Sequence, residues 1–503
     1  MARKVDDCMT HIECAEAVRN LASEPFTGFP EGFLWGAALS AKQYEGADGR
    51  GLTVADIQDY DPGKTGGARG DLSLQEIEER LDHPERFCFP KKIGIEGAAG
   101  FKEDLSLLGA LGLKAFRFSL SWSRIFPQGD DERPDEAGLA FYDQVIDCAL
   151  HLGMQPIVTI YHDDMPISLA LRHNGFLSSE VCDAYLRFAQ TALNHYGDRV
   201  RWWIPFNQPN LTRIGLSSLG IVRDQVQNLE EAKVQALHNK LVLGACVAAY
   251  GRAKHPDAHF GAMLADFLVD PLACRPDDVL LATRKNQITM YATADVQLRG
   301  RYPGYYRRSL ADRGISLQVS RRDLDILSDN TLDFLAVSYY NSNVVEAGKN
   351  GMAIGDALQN PYLAATPWGW TINETGLLDH CLKYWDRYGV PIMVAENGIG
   401  EIETLGADQT VHDSYRIDYM RRHMLALEEA LRQGVDVFAY CCWSPLDMVS
   451  SGTSEMKKRY GLVYVDQDEY GRGTHGRYPK DSYAWYREAI ASNGRMLRDG
   501  NRP

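Results

Sequence analysis

The chain has 503 residues, a formal charge of -15 at pH 7 and 45% hydrophobic residues. This acidic balance argues against a nucleic-acid partner, because phosphate backbones are bound through excess Lys and Arg. The sequence contains no run of about 18 uncharged apolar residues, so a membrane span is not expected. The charged N-terminus lacks the apolar core of a signal peptide. We therefore expect a cytoplasmic protein with reduced cysteines. Neither a CxxC nor an HExxH pattern occurs, so the sequence predicts no metal site and no cofactor.

Eight short runs rich in β-branched and aromatic residues alternate with longer amphipathic segments, as is typical of a parallel barrel. The predicted strands are Phe33 to Leu39, Lys114 to Leu120, Gln155 to His162, Arg201 to Gln208, His259 to Asp266, Phe334 to Asn341, Pro391 to Asn397 and Asp436 to Ser444. Predicted helices between them include Glu136 to Leu152, Ser179 to Tyr196, Glu230 to Lys254 and Tyr415 to Gln433, with Gly153 and Gly434 as stop signals.

The predicted fold class is therefore α/β, a (β/α)8 TIM barrel. A barrel enlarged by long βα loops can reach this length as one domain, which we predict over residues 29–497. Residues 1–28 would form an N-terminal extension and residues 498–503 a C-terminal tail. The long connections 47–97, 341–373 and 444–481 are expected to be lids or pocket walls.

Most chemically suggestive side chains fall at the C-terminal ends of the predicted strands, which converge on one mouth in a barrel. They are Arg117, His162, Asn207, Gln208, Tyr340, Glu396 and Trp443. Two of them invite comparison, because a glycosidase uses two carboxylates, one as nucleophile or base and the other as acid. Glu396 lies in Val-Ala-Glu-Asn-Gly, whereas Gln208 lies in Phe-Asn-Gln-Pro where a glutamate is expected. The pattern predicts a glycosidase site with one member neutralised.

Two segments make the resemblance specific: residues 33–46, FLWGAALSAKQYEG, and residues 116–127, FRFSLSWSRIFP. From about residue 29 to 497 the chain resembles glycoside hydrolase family 1, the retaining β-glycosidases, and most closely its 6-phospho-β-glucosidase branch. The resemblance implies that Glu396 is the nucleophile, that Arg117 beneath it keeps the carboxylate ionised, and that Tyr340 hydrogen-bonds it.

The same resemblance implies a sugar-binding set. Gln43, His162 and Asn207 match positions that hydrogen-bond sugar hydroxyls in the family, and Trp443 offers an apolar face for the ring. One departure is Asp163, which stands where the family usually has an aromatic residue. It alters the wall beside the glycone, the sugar that carries the anomeric carbon.

A phosphate site is implied by a second set of positions. Ordinary β-glucosidases of the family carry a glutamate where this chain has Ser450, and a carboxylate there would repel a phosphate on O6. Lys458 and Tyr460 resemble the family's phosphate pair, a point charge and a hydroxyl donor. Trp368 lies in a further stretch typical of this branch. The expected substrate is a small 6-phosphorylated glycoside.

Gln208 leaves three interpretations open, since an amide cannot exchange the proton that acid/base catalysis requires. The glutamine is a deliberate change that traps a complex, or a natural residue suited to S-linked or otherwise activated glycosides, as in plant thioglucosidases of the family. In the third, the chain is a non-catalytic sensor of phosphorylated sugars. The resemblance favours gluco over galacto substrates, the sequence leaves the aglycone open, and a homodimer is compatible with a soluble enzyme of this size.

Overall fold

The computed structural model describes residues 28–63, 71–212 and 215–498. Eight parallel strands form a closed barrel in which each strand pairs with its neighbours in the chain and β1 pairs with both β2 and β8. The strands are β1 Leu34–Ala38, β2 Ala115–Ser119, β3 Gln155–Tyr161, β4 Trp202–Phe206, β5 His259–Ala265, β6 Phe334–Tyr339, β7 Ile392–Asn397 and β8 Val437–Trp443. The predicted (β/α)8 TIM barrel is confirmed.

The longer helices lie between these strands and after β8: Gly97–Ala110, Glu136–His151, Ser179–Tyr196, Leu229–Lys254, Pro276–Asn286, Ala292–Arg299, Glu374–Tyr388, Ser414–Arg432 and Asp481–Ala491. Shorter α-helices are Ala41–Tyr44, Leu74–Asp82, Pro90–Ile93, Trp122–Ile125, Ile167–His173, Gly304–Asp312 and Arg321–Asp329. Single turns of 3₁₀ helix are Pro84–Arg86, Gly175–Leu177, Arg223–Gln225 and Arg495–Arg498, and π-helical turns are Gly215–Leu219 and Gln287–Tyr291.

Local sequence explains where these helices begin and end. Ser178 caps Ser179–Tyr196 by accepting a hydrogen bond from the Val181 amide at 3.2 Å. Gly153 and Gly434 follow the ends of two helices at φ +79° and +89°, a conformation that glycine adopts without steric cost. Both glycine stop signals are confirmed.

The observed strands are shorter than predicted by one or two residues at most ends. His162 and Asn207, for example, lie just beyond β3 and β4. The backbone amide of Asn207 still donates to the carbonyl of Tyr161 at 2.9 Å. The polar side chains therefore lie on the rim of the barrel mouth, where a ligand can reach them.

The long connections carry small elements of their own that the sequence analysis left as loops. Val463–Val465 pairs antiparallel with Arg477–Pro479 after β8. Val269–Pro271, Asn343–Val345 and Leu358–Gln359 form a second small sheet. No helix in the described ranges is long and apolar enough to cross a membrane. Residues 1–27 of the predicted extension and 499–503 of the predicted tail lie outside the described residues.

Candidate active site

A cavity of about 320 Å³ opens at the C-terminal ends of the barrel strands. Its size falls in the range of small-molecule sites. Eleven of the twelve predicted site residues line it: Gln43, His162, Asn207, Gln208, Tyr340, Trp368, Glu396, Trp443, Ser450, Lys458 and Tyr460. Arg117, the twelfth, is fully buried and reaches the site through Glu396.

The Glu396 carboxylate is held from two sides. The Arg117 guanidinium donates to Oε1 at 2.6 Å, and the Tyr340 hydroxyl donates to Oε2 at 2.7 Å. Burial and the adjacent Glu396 charge raise the pKa of Tyr340 well above its usual range, so this hydroxyl remains a donor. The arrangement stabilises an ionised carboxylate in a fixed orientation.

An irregularity in β7 helps to aim this carboxylate. The register against β6 shifts between Val394 and Glu396, which pair with Val337 and Ser338. Two residues of β7 thus oppose one of β6, and such a bulge re-aims the following side chain. Gly398 keeps the end of the strand close to β8, since a Cβ there would meet the Trp443 carbonyl oxygen at 2.1 Å.

Arg117 is itself locked in place by three neighbours. Besides Glu396, it donates to Asn207 Oδ1 at 2.7 Å and to Thr159 Oγ1 at 3.1 Å. These contacts tie β2, β3, β7 and the rim after β4 together under the cavity. The guanidinium is therefore held in a fixed position against the Glu396 carboxylate.

Gln208 lies across the mouth on the rim after β4. Its backbone has φ +41°, a strained conformation that is concentrated at functional sites. The amide nitrogen donates to Ser338 Oγ, and Ser338 donates to the Leu264 carbonyl at 3.3 Å. One donor is therefore fixed towards β6, and the side chain holds no proton that it could give to a leaving group.

Gln43 and His162, both predicted to bind sugar hydroxyls, differ in how many of their hydrogen bonds the protein itself supplies. Gln43 accepts from Ser40 Oγ and donates to the Val449 carbonyl, both at 2.6 Å. His162 Nδ1 is buried with no hydrogen-bond partner in the described part of the chain. Its ring is tilted 33° against Trp443, with 6.1 Å between centroids. The histidine therefore keeps hydrogen-bonding capacity for a ligand.

Aromatic rings surround the Lys458 ammonium, which also lines the cavity. Its Nζ lies 3.8 Å from the ring centroid of Trp370, 5.0 Å from that of Trp368 and 5.5 Å from that of Tyr460. Burial lowers the pKa of Lys458 to about 8. Ser450 also lines the cavity, and its side chain is uncharged. A cation is thus exposed to the cavity interior.

Polar and aromatic residues that line the cavity outside the predicted set include Lys42, Gln58, Asp266 and Trp370. Lys42 lies in the buried helix Ala41–Tyr44. A lysine in this apolar N-terminal segment was the sequence signal that could have marked it as a site residue. Asp266 is a carboxylate, but it accepts from the Leu268 amide and lies 3.0 Å from His380 Nδ1. Its side chain is fully buried and is already paired with His380.

Asp163 also occupies the wall, where the family usually has an aromatic residue. Its Oδ2 lies 3.6 Å from Lys42 Nζ, and its Oδ1 accepts from Ser218 Oγ at 3.3 Å. Within residues 28–63, 71–212 and 215–498, no group of three or more His, Cys, Asp or Glu side chains is placed to hold a metal ion.

Comparison with known proteins agrees with this geometry. Residues 26–495 match the profile of glycosyl hydrolase family 1. A phospho-cellobiase from Klebsiella oxytoca is 38% identical, covering 94% of this chain and 99% of that protein. An aryl-phospho-beta-D-glucosidase, BglH, from Bacillus subtilis (strain 168) is 37% identical, covering 93% and 98%. The solved beta-glucosidase from Thermotoga maritima in complex with castanospermine is 29% identical, with a TM-score of 0.79 and coverage of 93% and 99%.

A closed parallel barrel with an ion-paired glutamate at its mouth is the architecture of a barrel glycoside hydrolase. The chain belongs to glycosyl hydrolase family 1.

Proposed function

We propose that this glycoside hydrolase acts with retention on 6-phosphorylated β-glucosides, with Gln208 at the acid/base position. The observation that carries the proposal is the Lys458 ammonium. It is buried and lines the cavity, and in the described part of the chain no carboxylate lies within ion-pair distance of it. A buried cation without a counter-charge is costly. An anionic group of the ligand would supply that charge, and a phosphate also accepts a hydrogen bond from Tyr460.

Two further observations support the phosphate. Ser450 lines the cavity with a neutral side chain, so this position adds no charge that would repel an anion. The curated relatives at 37–38% identity are named for phosphorylated substrates, as a phospho-cellobiase and an aryl-phospho-beta-D-glucosidase.

In the proposed mechanism Glu396 is the nucleophile. One carboxylate oxygen attacks the anomeric carbon while the bond to the leaving group breaks, and the electron pair of that bond departs with the leaving group. Arg117 and Tyr340 hold the carboxylate in position before attack. Water then cleaves the glycosyl ester, which returns the sugar and restores the carboxylate.

Gln208 limits both halves of this cycle. It cannot protonate a departing alcohol, and it cannot remove a proton from the attacking water. An activated aryl or thiol group departs without such help. We therefore expect turnover of activated glycosides and accumulation of the glycosyl ester on Glu396.

The fixed amide of Gln208 also supports a second candidate, an S-glycosidase acting on phosphorylated or activated β-glycosides. A thiolate leaves without protonation, so this site loses little by lacking the acid. Non-catalytic binding of a sugar phosphate is the third candidate. Non-catalytic binding is the least favoured candidate, because binding alone does not require a carboxylate held by both Arg117 and Tyr340.

The test compares the chain with its Gln208→Glu variant on cellobiose 6'-phosphate, cellobiose and an S-linked aryl 6-phosphoglucoside. We expect the variant to gain about a hundredfold or more on cellobiose 6'-phosphate, the amount that a general acid-base group typically contributes. An equal gain on unphosphorylated cellobiose would contradict the phosphate assignment. If the O-linked disaccharides stay inert in both proteins while the S-linked substrate turns over, the S-glycosidase is the correct function.

A further inference from the structure

We infer that Lys42 and Asp163 form a specificity-determining pair that recognises two adjacent free hydroxyls of the glycone. This inference rests on the proposed glycosidase function of the cavity and extends it to the configuration of the sugar. Both residues line the cavity. Lys42 precedes Gln43 in the chain and Asp163 follows His162, and both of these neighbours are predicted to bind sugar hydroxyls.

The pair is buried but incompletely satisfied. The two side chains are 3% and 8% exposed, and the 3.6 Å between Lys42 Nζ and Asp163 Oδ2 is too long for a hydrogen bond. In the described ranges no protein acceptor lies within hydrogen-bond distance of Lys42 Nζ. Taking two charges out of water is costly unless their hydrogen-bonding capacity is used. Groups of a ligand would use it.

A hydrogen bond from Ser218 holds the Asp163 carboxylate in place. The Asp163 backbone has φ +56°, in the left-handed region, and Ser218 Oγ donates to Oδ1. The carbonyl of Ser218 in turn accepts from Lys240 Nζ at 3.2 Å. Lys240 is fully buried beneath the wall, so the carboxylate has positive charge on two sides. Anchoring of one oxygen leaves the other directed to the Lys42 side.

His162 completes the recognition surface. Burial lowers its pKa well below the usual range, and the nearby charges of Lys42, Arg117 and Lys240 lower it further. The ring is therefore neutral, and its Nδ1 is without a partner in the described part of the chain. The wall thus offers an ammonium donor, a carboxylate acceptor and an imidazole within one stretch.

This combination selects a particular chemistry. A carboxylate on this edge of the sugar would be repelled by Asp163, whereas a deoxygenated edge would leave the remaining hydrogen-bonding capacity of both side chains unused. Two neighbouring hydroxyls satisfy the pair, because one donates to the carboxylate while the other accepts from the ammonium. The substrate class is therefore a β-glycoside with a free vicinal diol at this edge.

The experiment uses 4-nitrophenyl β-glucoside 6-phosphate and its analogues lacking the hydroxyl at C2, C3 or C4. They are assayed with the parent chain and with Lys42→Met and Asp163→Asn. We expect two adjacent deoxy analogues to lose about ten- to a hundredfold in kcat/KM with the parent, as hydrogen bonds to charged groups do. For the same analogues the variants should show a smaller loss, because the contribution of the Lys42 and Asp163 pair is already gone.

Three provisions keep the result decisive. If Gln208 suppresses turnover, the same ratios are measured as dissociation constants by calorimetry. If one variant fails to fold, the double variant Lys42→Met/Asp163→Leu removes both charges together and takes its place. Lys42→Arg should restore part of the discrimination, because it restores a donor. Losses that are equal in parent and variants at every deoxy position would overturn the inference.

Lys458→Met, at the proposed phosphate site, is the matched control. It should abolish the preference for 6-phosphorylated over plain glucosides and leave the deoxy pattern intact. Failure of the proposed function would appear as no phosphate preference in the parent. Failure of this inference would appear as an unchanged deoxy pattern in the Lys42 and Asp163 variants, so the two failures are distinguishable.

Discussion

The identity of single residues decides what the site can do. Glu396, Arg117 and Tyr340 form a set in which a carboxylate is held by one cation and one hydroxyl. In the proposed mechanism Gln208 supplies an amide at the acid/base position, where a proton carrier is needed. We therefore expect the rate to depend on the leaving group, because bond breaking and proton transfer would not be coupled.

Glu396→Gln should stop nitrophenolate release from an aryl 6-phosphoglucoside. The amide is a poor nucleophile, and losing the attacking group costs at least about a hundredfold in rate. The absorbance of released nitrophenolate at 400 nm measures the rate directly. Glu401→Gln, on the same connection outside the cavity lining, is the matched control. Unchanged release from the Glu396 variant would show that another group attacks.

The rate for phosphorylated substrates should fall as the pH rises above about 8. Burial lowers the pKa of Lys458 to about 8, so the ammonium is charged below that pH and neutral above it. The phosphate is already dianionic there, since its second pKa is about 6. Profiles of kcat/KM against pH with phosphorylated and plain aryl glucosides measure the effect. A decline shared equally by both substrates would assign it to another group.

At the scale of elements, the connection after β8 positions Lys458 and Tyr460, the proposed phosphate-binding residues. Asp447 holds this connection: its carboxylate lies 2.9 Å from Lys480 Nζ and 3.2 Å from Arg459 Nη1, and it accepts from the Gly461 amide at 2.8 Å. The network is buried and joins the loop to the start of the last barrel helix. Lys458 and Tyr460 lie on the loop between these anchor points.

Asp447→Asn should destabilise the fold. It leaves Lys480 and Arg459 as buried cations with less counter-charge, and breaking a buried pair costs about 3–5 kcal/mol in the free energy of unfolding. Denaturant titration followed by tryptophan fluorescence measures the change. Asp312→Asn is the control, because its pair with Arg308 is exposed and worth about 1 kcal/mol or less. Equal stability of the two variants would contradict a structural role for the network.

On the scale of the whole molecule, the barrel closes between segments far apart in the chain. One contiguous apolar core runs from Phe29 to Leu497, and β1 pairs with β8 along its whole length. Trp35 Nε1 donates to Asn493 Oδ1 at 2.9 Å, which joins the first strand to the end of the chain's last helical region. Such closure makes the stability of each strand depend on all the others.

The predicted single domain over residues 29–497 should therefore unfold in one transition. Far-ultraviolet circular dichroism and tryptophan fluorescence should give coincident denaturant curves, because a shared core couples secondary and tertiary structure. Two separated transitions would show that part of the barrel or its loops folds independently.

The sequence alone determined the alternation of strands and helices, and it located the residues at the strand ends. These features depend on local periodicity and stop signals, as at Ser179–Tyr196, where the predicted and observed bounds coincide. Strand bounds were predicted one or two residues too long, because the point at which a strand leaves the barrel depends on its neighbours.

Only the tertiary structure decided how the side chains are paired. That Lys42 lies against Asp163, that Lys458 lies among Trp368 and Trp370, and that Gln208 bonds Ser338 follow from contacts across the closed barrel. No local pattern encodes such pairings, since their partners lie on different strands and loops. The sequence thus determined the class of chemistry, and the three-dimensional arrangement determined which charges are left for a ligand.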